Sequence, residues 1–296
     1  MRAVVVTEFG GPEAIKVVET PVPEPGDGQV RIKVGAAALN PVDAAVRAGA
    51  FGGPSGGATT GFGWDAAGTV DAVGAGAEWR PGEQVVALHT GSVKPLGTHA
   101  EYVVVDADEV AKAPAGVDAV HAATLPLNAL TAAEALDLLG PGWSGSLLVT
   151  GAAGAVGGYA VQLAAQRGTP VTGWARPADE DLVRALGASG FTTGGEGSYD
   201  AVLDAAALGG AAMERVRDGG VYVGVLPGSE PEPERGVRTT AVAVATDAAQ
   251  LAELVRLTDD GALTLRVAET YPLADAAKAH ERLAEGGVRG RIVLVP

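Results

Sequence analysis

Residues Leu147 to Ala164 carry no charge and divide into three pieces: the apolar run Leu147-Leu148-Val149-Thr150, the turn Gly151-Ala152-Ala153-Gly154-Ala155-Val156-Gly157, and an Ala-rich stretch around Val161-Gln162-Leu163. A buried strand, a glycine turn and a helix in that order are the layout that seats a dinucleotide. Gly154 lets the backbone approach a pyrophosphate, and Gly157 lets the helix pack closely on the strand. The helix start offers N–H groups and a positive dipole end to the phosphates. Ala153, Gly154, Ala155, Val156 and Gly157 are therefore the candidate phosphate contacts. The usual first glycine is Ala152 here, with Gly151 one place earlier. In a chain with 44 glycines a short glycine match is cheap; the second strand, Pro170 to Trp174, strengthens it by following in the expected order. No Lys-Ser or Lys-Thr follows the last glycine, which excludes a P-loop, and the run is too rich in Gly and Ala for a membrane span.

At 296 residues the chain suits two domains. It holds 21 basic and 36 acidic residues, a net charge of −15 without a basic run. That balance argues against nucleic acid or an anionic membrane as partner. Met1-Arg2-Ala3-Val4-Val5-Val6 runs into polar Thr7-Glu8, which carries no secretory signal pattern, so a cytoplasmic location is expected. There is no cysteine, and the four histidines, His89, His99, His121 and His280, lack close metal-ligand spacing. The sequence predicts no metal site.

Up to about residue 118, short alternating runs read as strands: Val4–Val6, Ile15–Val18, Val30–Val34, Gly68–Val73, Gln84–Leu88 and Glu101–Val105. They predict an antiparallel, closed β domain. The connection from Gly49 to Gly63 is glycine-rich and is expected to be mobile. Beyond that point helices alternate with parallel strands: a helix over Ala119–Leu139 interrupted at Pro126, a helix over Asp179–Leu186, a strand over Asp200–Asp204, a helix ending over Met213–Arg217, strands over Gly220–Val225 and Arg238–Val244, and a helix over Ala248–Leu257. The tail, a helix over Leu273–Glu285 and a strand over Gly290–Val295, is expected to rejoin the first domain.

The opening Met1 to Pro12, Asn40-Pro41-Val42-Asp43, Gly61-Phe62-Gly63-Trp64-Asp65-Ala66-Ala67-Gly68, the glycine turn and the closing Val288 to Leu294 together resemble the zinc-independent quinone oxidoreductase branch of the medium-chain dehydrogenase/reductase superfamily. The resemblance implies an α/β protein: a GroES-like (chaperonin-10-like) β-barrel catalytic domain, residues 1–118 with 267–296, and a doubly wound parallel-sheet Rossmann domain, residues 119–266. The active site would lie between them. In zinc-containing relatives a cysteine ligand stands at the place of Asn40 and a histidine ligand at that of Trp64.

A hydride acceptor with no metal to polarise it must delocalise the incoming charge itself, as quinones and α,β-unsaturated carbonyls do. The resemblance implies that Asn40 faces the nicotinamide and is the first candidate to hydrogen-bond the substrate, the alternative being a turn residue ahead of Pro41. Where relatives often carry a tyrosine this chain has Phe51. His89, after the strand 84–88, could donate a proton or cap that strand; His99, His121 and His280 read as surface or packing residues. Trp64 is a pocket wall or a core residue. About twenty residues past the glycine turn, where NAD-specific folds place an acid, the chain reads Trp174-Ala175-Arg176. Ala175 and Arg176 thus favour NADPH, while Gly194 replaces a tyrosine that assists in relatives.

By resemblance, Thr131 lies near the nicotinamide ribose and Val225 with Leu226 hold the carboxamide. Asp65 and Asp43 are expected to pair with Arg289 or Arg291. The expected function is NADPH-dependent reduction of a quinone, by a homodimer paired through the strand at 238–244. The alternatives are an enone reductase and, from a different class, a cofactor-binding sensor with little turnover.

Overall fold

The computed structural model describes residues 1–52, 59–91, 93–194 and 197–296. The expected mobile connection from Gly49 to Gly63 therefore lies in part, at 53–58, outside the described residues. The chain forms two compact units, one of residues 1–127, 245–259 and 265–296, the other of 128–244 and 260–264.

The second unit is built on six parallel strands: β9 (Leu147–Thr150), β10 (Val171–Trp174), β11 (Gly190–Thr192), β12 (Tyr199–Asp204), β13 (Val216–Gly224) and β14 (Arg238–Ala241). They lie in the order β11-β10-β9-β12-β13-β14. From the first strand the chain winds outward one way and then the other, which is the doubly wound Rossmann topology. All four residues of β9 are buried, as a central parallel strand covered on both faces requires. Leu148, Val202, Met213, Val216, Tyr222 and Val237 form one core cluster. The helices are α4 (Ala155–Gln166), α5 (Glu180–Ala185), α6 (Gly210–Met213) and most of α3 (Pro126–Asp137).

The first unit holds β1 (Arg2–Val6) between β2 (Lys16–Glu19) and β4 (Thr60–Gly61), all antiparallel. Its larger sheet runs β15-β16-β3-β5-β6-β8, with β7 also on β3. These strands are β3 (Gln29–Leu39), β5 (Asp65–Val73), β6 (Gln84–Leu88), β7 (Tyr102–Asp106), β8 (Val110–Lys112), β15 (Val267–Pro272) and β16 (Arg291–Val295). β3 alternates buried and open positions over its first half, then is buried throughout from Ala36 to Leu39. Its first half pairs β7 and its last three residues pair β16, so the returning strand β16 is stitched onto the end of β3. Helices α1 (Pro41–Arg47), α2 (Ala119–Ala122), α7 (Ala248–Asp259) and α8 (Ala276–Ala284) complete the unit.

Several expectations shift. The helix expected to end over Met213–Arg217 stops at Met213, and β13 starts at Val216, because Val216 is wholly buried in the sheet core. β14 ends at Ala241 rather than Val244. Strands β8, β11 and β15 had no legible signal. The helix at 119–139 splits into α2 and α3 ahead of Pro126, as the clash of proline with a preceding helical residue demands. Helix α7 falls in the first unit, where it packs on β8 and where Asp259 accepts the N–H of Ala115 at 2.8 Å. The two compact units divide at 127/128 and around 245–264.

Candidate active site

In the second unit the glycine turn leaves β9 at its carboxyl end. Gly151 takes φ +58°, and Gly154 is the N-cap of α4. A Cβ on Gly157 would overlap the carbonyl oxygen of Gly151 and lie 2.7 Å from its carbon, so only glycine allows this helix to start so close to the turn. The N–H groups of Ala155, Val156 and Gly157 precede the helical ladder and have no acceptor within it. Such a cradle, closed to any Cβ and lined by first-turn N–H groups, fits a pyrophosphate.

Neighbouring β10 ends beside β9, with Trp174 opposite Thr150. Ala175 continues the pairing through its N–H to the carbonyl of Thr192, 3.1 Å. Arg176 follows with its side chain 60% exposed, and its Nε donates to Oδ2 of Asp179, only 2% exposed, at 3.1 Å. The first acid beyond β10 is thus engaged with the arginine. Gly194 lies against the indole of Trp174: a Cβ there would come 2.7 Å from Nε1, so the indole occupies the place that a larger side chain would need.

The carboxyl ends of β9, β12 and β13 are tied by Asp204, which accepts from Thr150 Oγ1 at 2.6 Å, the Tyr222 hydroxyl at 2.7 Å and Gly209 N–H at 2.8 Å. Burial and the adjacent Asp204 raise the Tyr222 pKa above the ordinary phenol value. Asp204, Tyr222, Val225 and Leu226 line a cavity of about 110 Å³. Thr131 lies on α3, 7% exposed. The structure gathers 153–157, 175–176 and 225–226 at the carboxyl edge of one parallel sheet, where ligands of such sheets bind.

In the first unit Asn40 ends β3 and begins α1. Its backbone N–H donates to Asp43 Oδ2 at 2.8 Å in a capping box, and its Nδ2 donates to Asp65 Oδ2 at 2.6 Å. Asp43 also accepts Gly63 N–H, and Asp65 accepts Leu127 N–H at 2.6 Å. Asp65 is fully buried, and burial pushes its carboxyl up to about 7 against the pull of these donors and of Arg291. Asp65 thus serves Asn40 and the Leu127 backbone, and Asp43 serves the backbone of Asn40 and Gly63.

His89 follows β6, its N–H donating to the carbonyl of Trp64 at 2.7 Å. Its Nδ1 lies 2.9 Å from Glu109 Oε2, and Glu109 further accepts from Thr90 and Thr246. The carboxylate orients the ring through Nδ1. The Trp64-Asp65 pair thus links both candidate catalytic residues, Asn40 through the carboxylate and His89 through the backbone.

Phe51 is half exposed, while His99 and His280 are buried and His121 is exposed, held by Asp118. Sequence reasoning missed Glu109 and Lys94. Glu109 sits in a tight turn before β8, its only trace an acid next to apolar Val110-Ala111, and Lys94 lies on a loop with no periodicity to read. Zinc fits poorly here. An indole offers no lone pair, the Asn40 amide is committed to Asp65, and no group of three potential ligands occurs among the described residues. No step is routed through a metal. No helix among the described residues is long and apolar enough to cross a membrane.

Residues 26–115 match the alcohol dehydrogenase GroES-like domain and residues 178–294 the zinc-binding dehydrogenase family. The chloroplastic NADPH-dependent alkenal/one oxidoreductase of Arabidopsis thaliana is 34% identical over 255 residues, covering 81% of this chain and 66% of its own length. The chloroplastic quinone-oxidoreductase QR1 of Triphysaria versicolor is 31% identical over 335 aligned positions, covering 100% of this chain and 98% of its own. The chain thus spans just under two thirds of the former and nearly all of the latter. A solved structure, the quinone oxidoreductase of Coxiella burnetii, superposes with a TM-score of 0.89 at 28% identity, covering 100% of this chain and 99% of its own. Matched from end to end in this way, the chain belongs to the quinone oxidoreductase branch of the medium-chain dehydrogenase/reductase family.

Proposed function

We propose that this protein is an NADPH-dependent reductase that passes a hydride to a quinone. The observation that carries the reading is Arg176 at the end of β10, with the following acid held on its Nε. That arrangement leaves the outer edge of a guanidinium for a 2′-phosphate and engages the first following carboxylate, the one that would otherwise meet a 2′-hydroxyl. Ala153 to Gly157 would hold the pyrophosphate, Ala175 and Arg176 the adenosine end, Thr131 the nicotinamide ribose, and Val225 with Leu226 the carboxamide. The bound cofactor supplies the hydride.

The chain's own part is to receive the charge that this hydride brings. Asn40 and His89 are hydrogen-bond donors rather than metal ligands, so the acceptor must spread the charge itself, as a quinone does on becoming a quinol. His89, with its ring held by Glu109, would move a proton to or from the substrate. A second reading, reduction of an α,β-unsaturated carbonyl, follows the same logic and is favoured by the alkenal/one oxidoreductase relative. The reading includes a cytoplasmic homodimer, supported by the sheet-edge position of β14; light scattering and cell fractionation test those two parts.

Steady-state assays with NADPH and NADH, each against 1,4-benzoquinone and a 2-alkenal, test the activity. Preference for NADPH and for the quinone supports it. Tight cofactor binding without turnover on either acceptor would point to the sensor instead.

A further inference from the structure

The loop between β6 and β7 folds Lys94 back onto the Trp64–His89 pair. Its Nζ donates to the carbonyl oxygen of His89 at 2.6 Å and stands 5.4 Å from the centre of the Trp64 ring. The carboxylates of Asp43, Glu109 and Asp65 act on it through space. Burial lowers its pKa to about 8, against the pull of those three acids.

An ammonium carries three donors, and among the described residues the carbonyl of His89 takes one of them. The indole face attracts the charge but cannot replace water as an acceptor. Lys94 is half-buried, and its remaining donors can turn from solvent to an acceptor that the working complex brings. That acceptor must be an oxygen rich in electrons, arriving beside His89.

We infer that Lys94 is a catalytic residue that hydrogen-bonds the carbonyl oxygen of the quinone or enone, holds the negative charge arriving with the hydride, and protonates that oxygen. The inference rests on the reductase reading. When the hydride enters the conjugated acceptor, the displaced π pair moves onto the carbonyl oxygen. An N–H bond of Lys94 then breaks as the O–H bond forms, and its electron pair stays on Nζ as a neutral amine. Water returns the proton to the amine. The acceptor gains two electrons, NADPH loses two, and solvent supplies one proton. An ammonium poised near neutrality suits this exchange, since it is charged at rest and parts with its proton readily.

The test compares wild type with Lys94→Met and Lys94→Gln, each checked for folding by circular dichroism. One arm follows kcat for benzoquinone from neutral to alkaline pH. The other follows the visible phenolate band of 4-nitrophenol, a stand-in for the oxyanion, on the NADP⁺-loaded protein. His89, Asp43, Asp65 and Glu109 also face Lys94, so an alkaline limb belongs to Lys94 only if both variants lose it.

The expected result is a wild-type kcat that falls above about pH 8, a loss of about a hundredfold with the disappearance of that limb in both variants, and 4-nitrophenol that ionises more readily on wild type alone. Variants that keep the wild-type kcat and limb, or that bind the phenolate as wild type does, overturn it. If wild type reduces neither quinone nor enone, the reductase reading fails. The nitrophenol arm still decides Lys94 in that case: a phenolate bound alike with and without the lysine, or by neither, overturns the assignment.

Discussion

Asn40 and Asp65 meet inside the first unit, the side-chain amide donating to the carboxylate at 2.6 Å while both residues are sealed from solvent. The bond ties the end of β3 to the start of β5. Asn40→Ala leaves Asp65 short of a donor and is expected to cost about 1–3 kcal/mol in urea unfolding. Asn40 is also the proposed donor to the substrate, so kcat of the folded variant should fall as well, and an unchanged kcat would leave the amide a purely structural tie.

Arg176 and Asp179 set the cofactor preference. Arg176→Ala removes the cation next to Ala175 and should weaken NADPH about tenfold or more while leaving NADH near its starting value, as one charge-assisted hydrogen bond is worth about 1.5–3 kcal/mol. Fluorescence titration of both cofactors reads the ratio, and an unchanged ratio removes the arginine from the recognition of the 2′-phosphate.

The glycine turn offers a sharper test of packing. A methyl group on Gly157 has nowhere to go except into the Gly151 carbonyl, so Gly157→Ala must move α4 off β9. We expect NADPH affinity to fall along with the melting temperature, whereas Gly168→Ala, where a Cβ meets nothing within 4 Å but φ is +72°, should lower only the melting temperature.

Acid should weaken the first unit through His280. Burial, with His99 and Arg47 beside it, brings its pKa down to about 3, and Arg47 Nη1 lies 3.1 Å from its Nδ1. The folded state therefore holds the ring neutral while the unfolded chain takes a proton near pH 6.5. Stability from this group is full above the unfolded value and drains away as pH falls toward 3. Between pH 7 and 5 the loss is about 2 kcal/mol. His280→Gln should flatten that part of the pH–stability curve, and urea midpoints for the two proteins at both pH values check it.

The parts legible in the sequence were those in which one residue type answers one local need. Gly154 and Gly157, charge-free β9 and Pro126 each announced their surroundings, and the resemblance covered the chain from Met1 to Leu294. Hidden from view were contacts made by return of the chain. Nothing around Lys94 indicates that it will lie over Trp64, and Glu109 meets His89 only because β8 pairs β6. β11 and β8, three residues each, are too short to show a period, and α7 reads as a helix without revealing which unit its apolar face will join.

The central claim is that this site passes a hydride only to acceptors that delocalise the incoming charge. Stopped-flow mixing of the NADPH-loaded protein with 1,4-benzoquinone, and separately with cyclohexanone, measures it most directly. The account predicts rapid loss of nicotinamide absorbance with the quinone and none above background with the saturated ketone. Equal rates with the two, or oxidation by cyclohexanone alone, would contradict it.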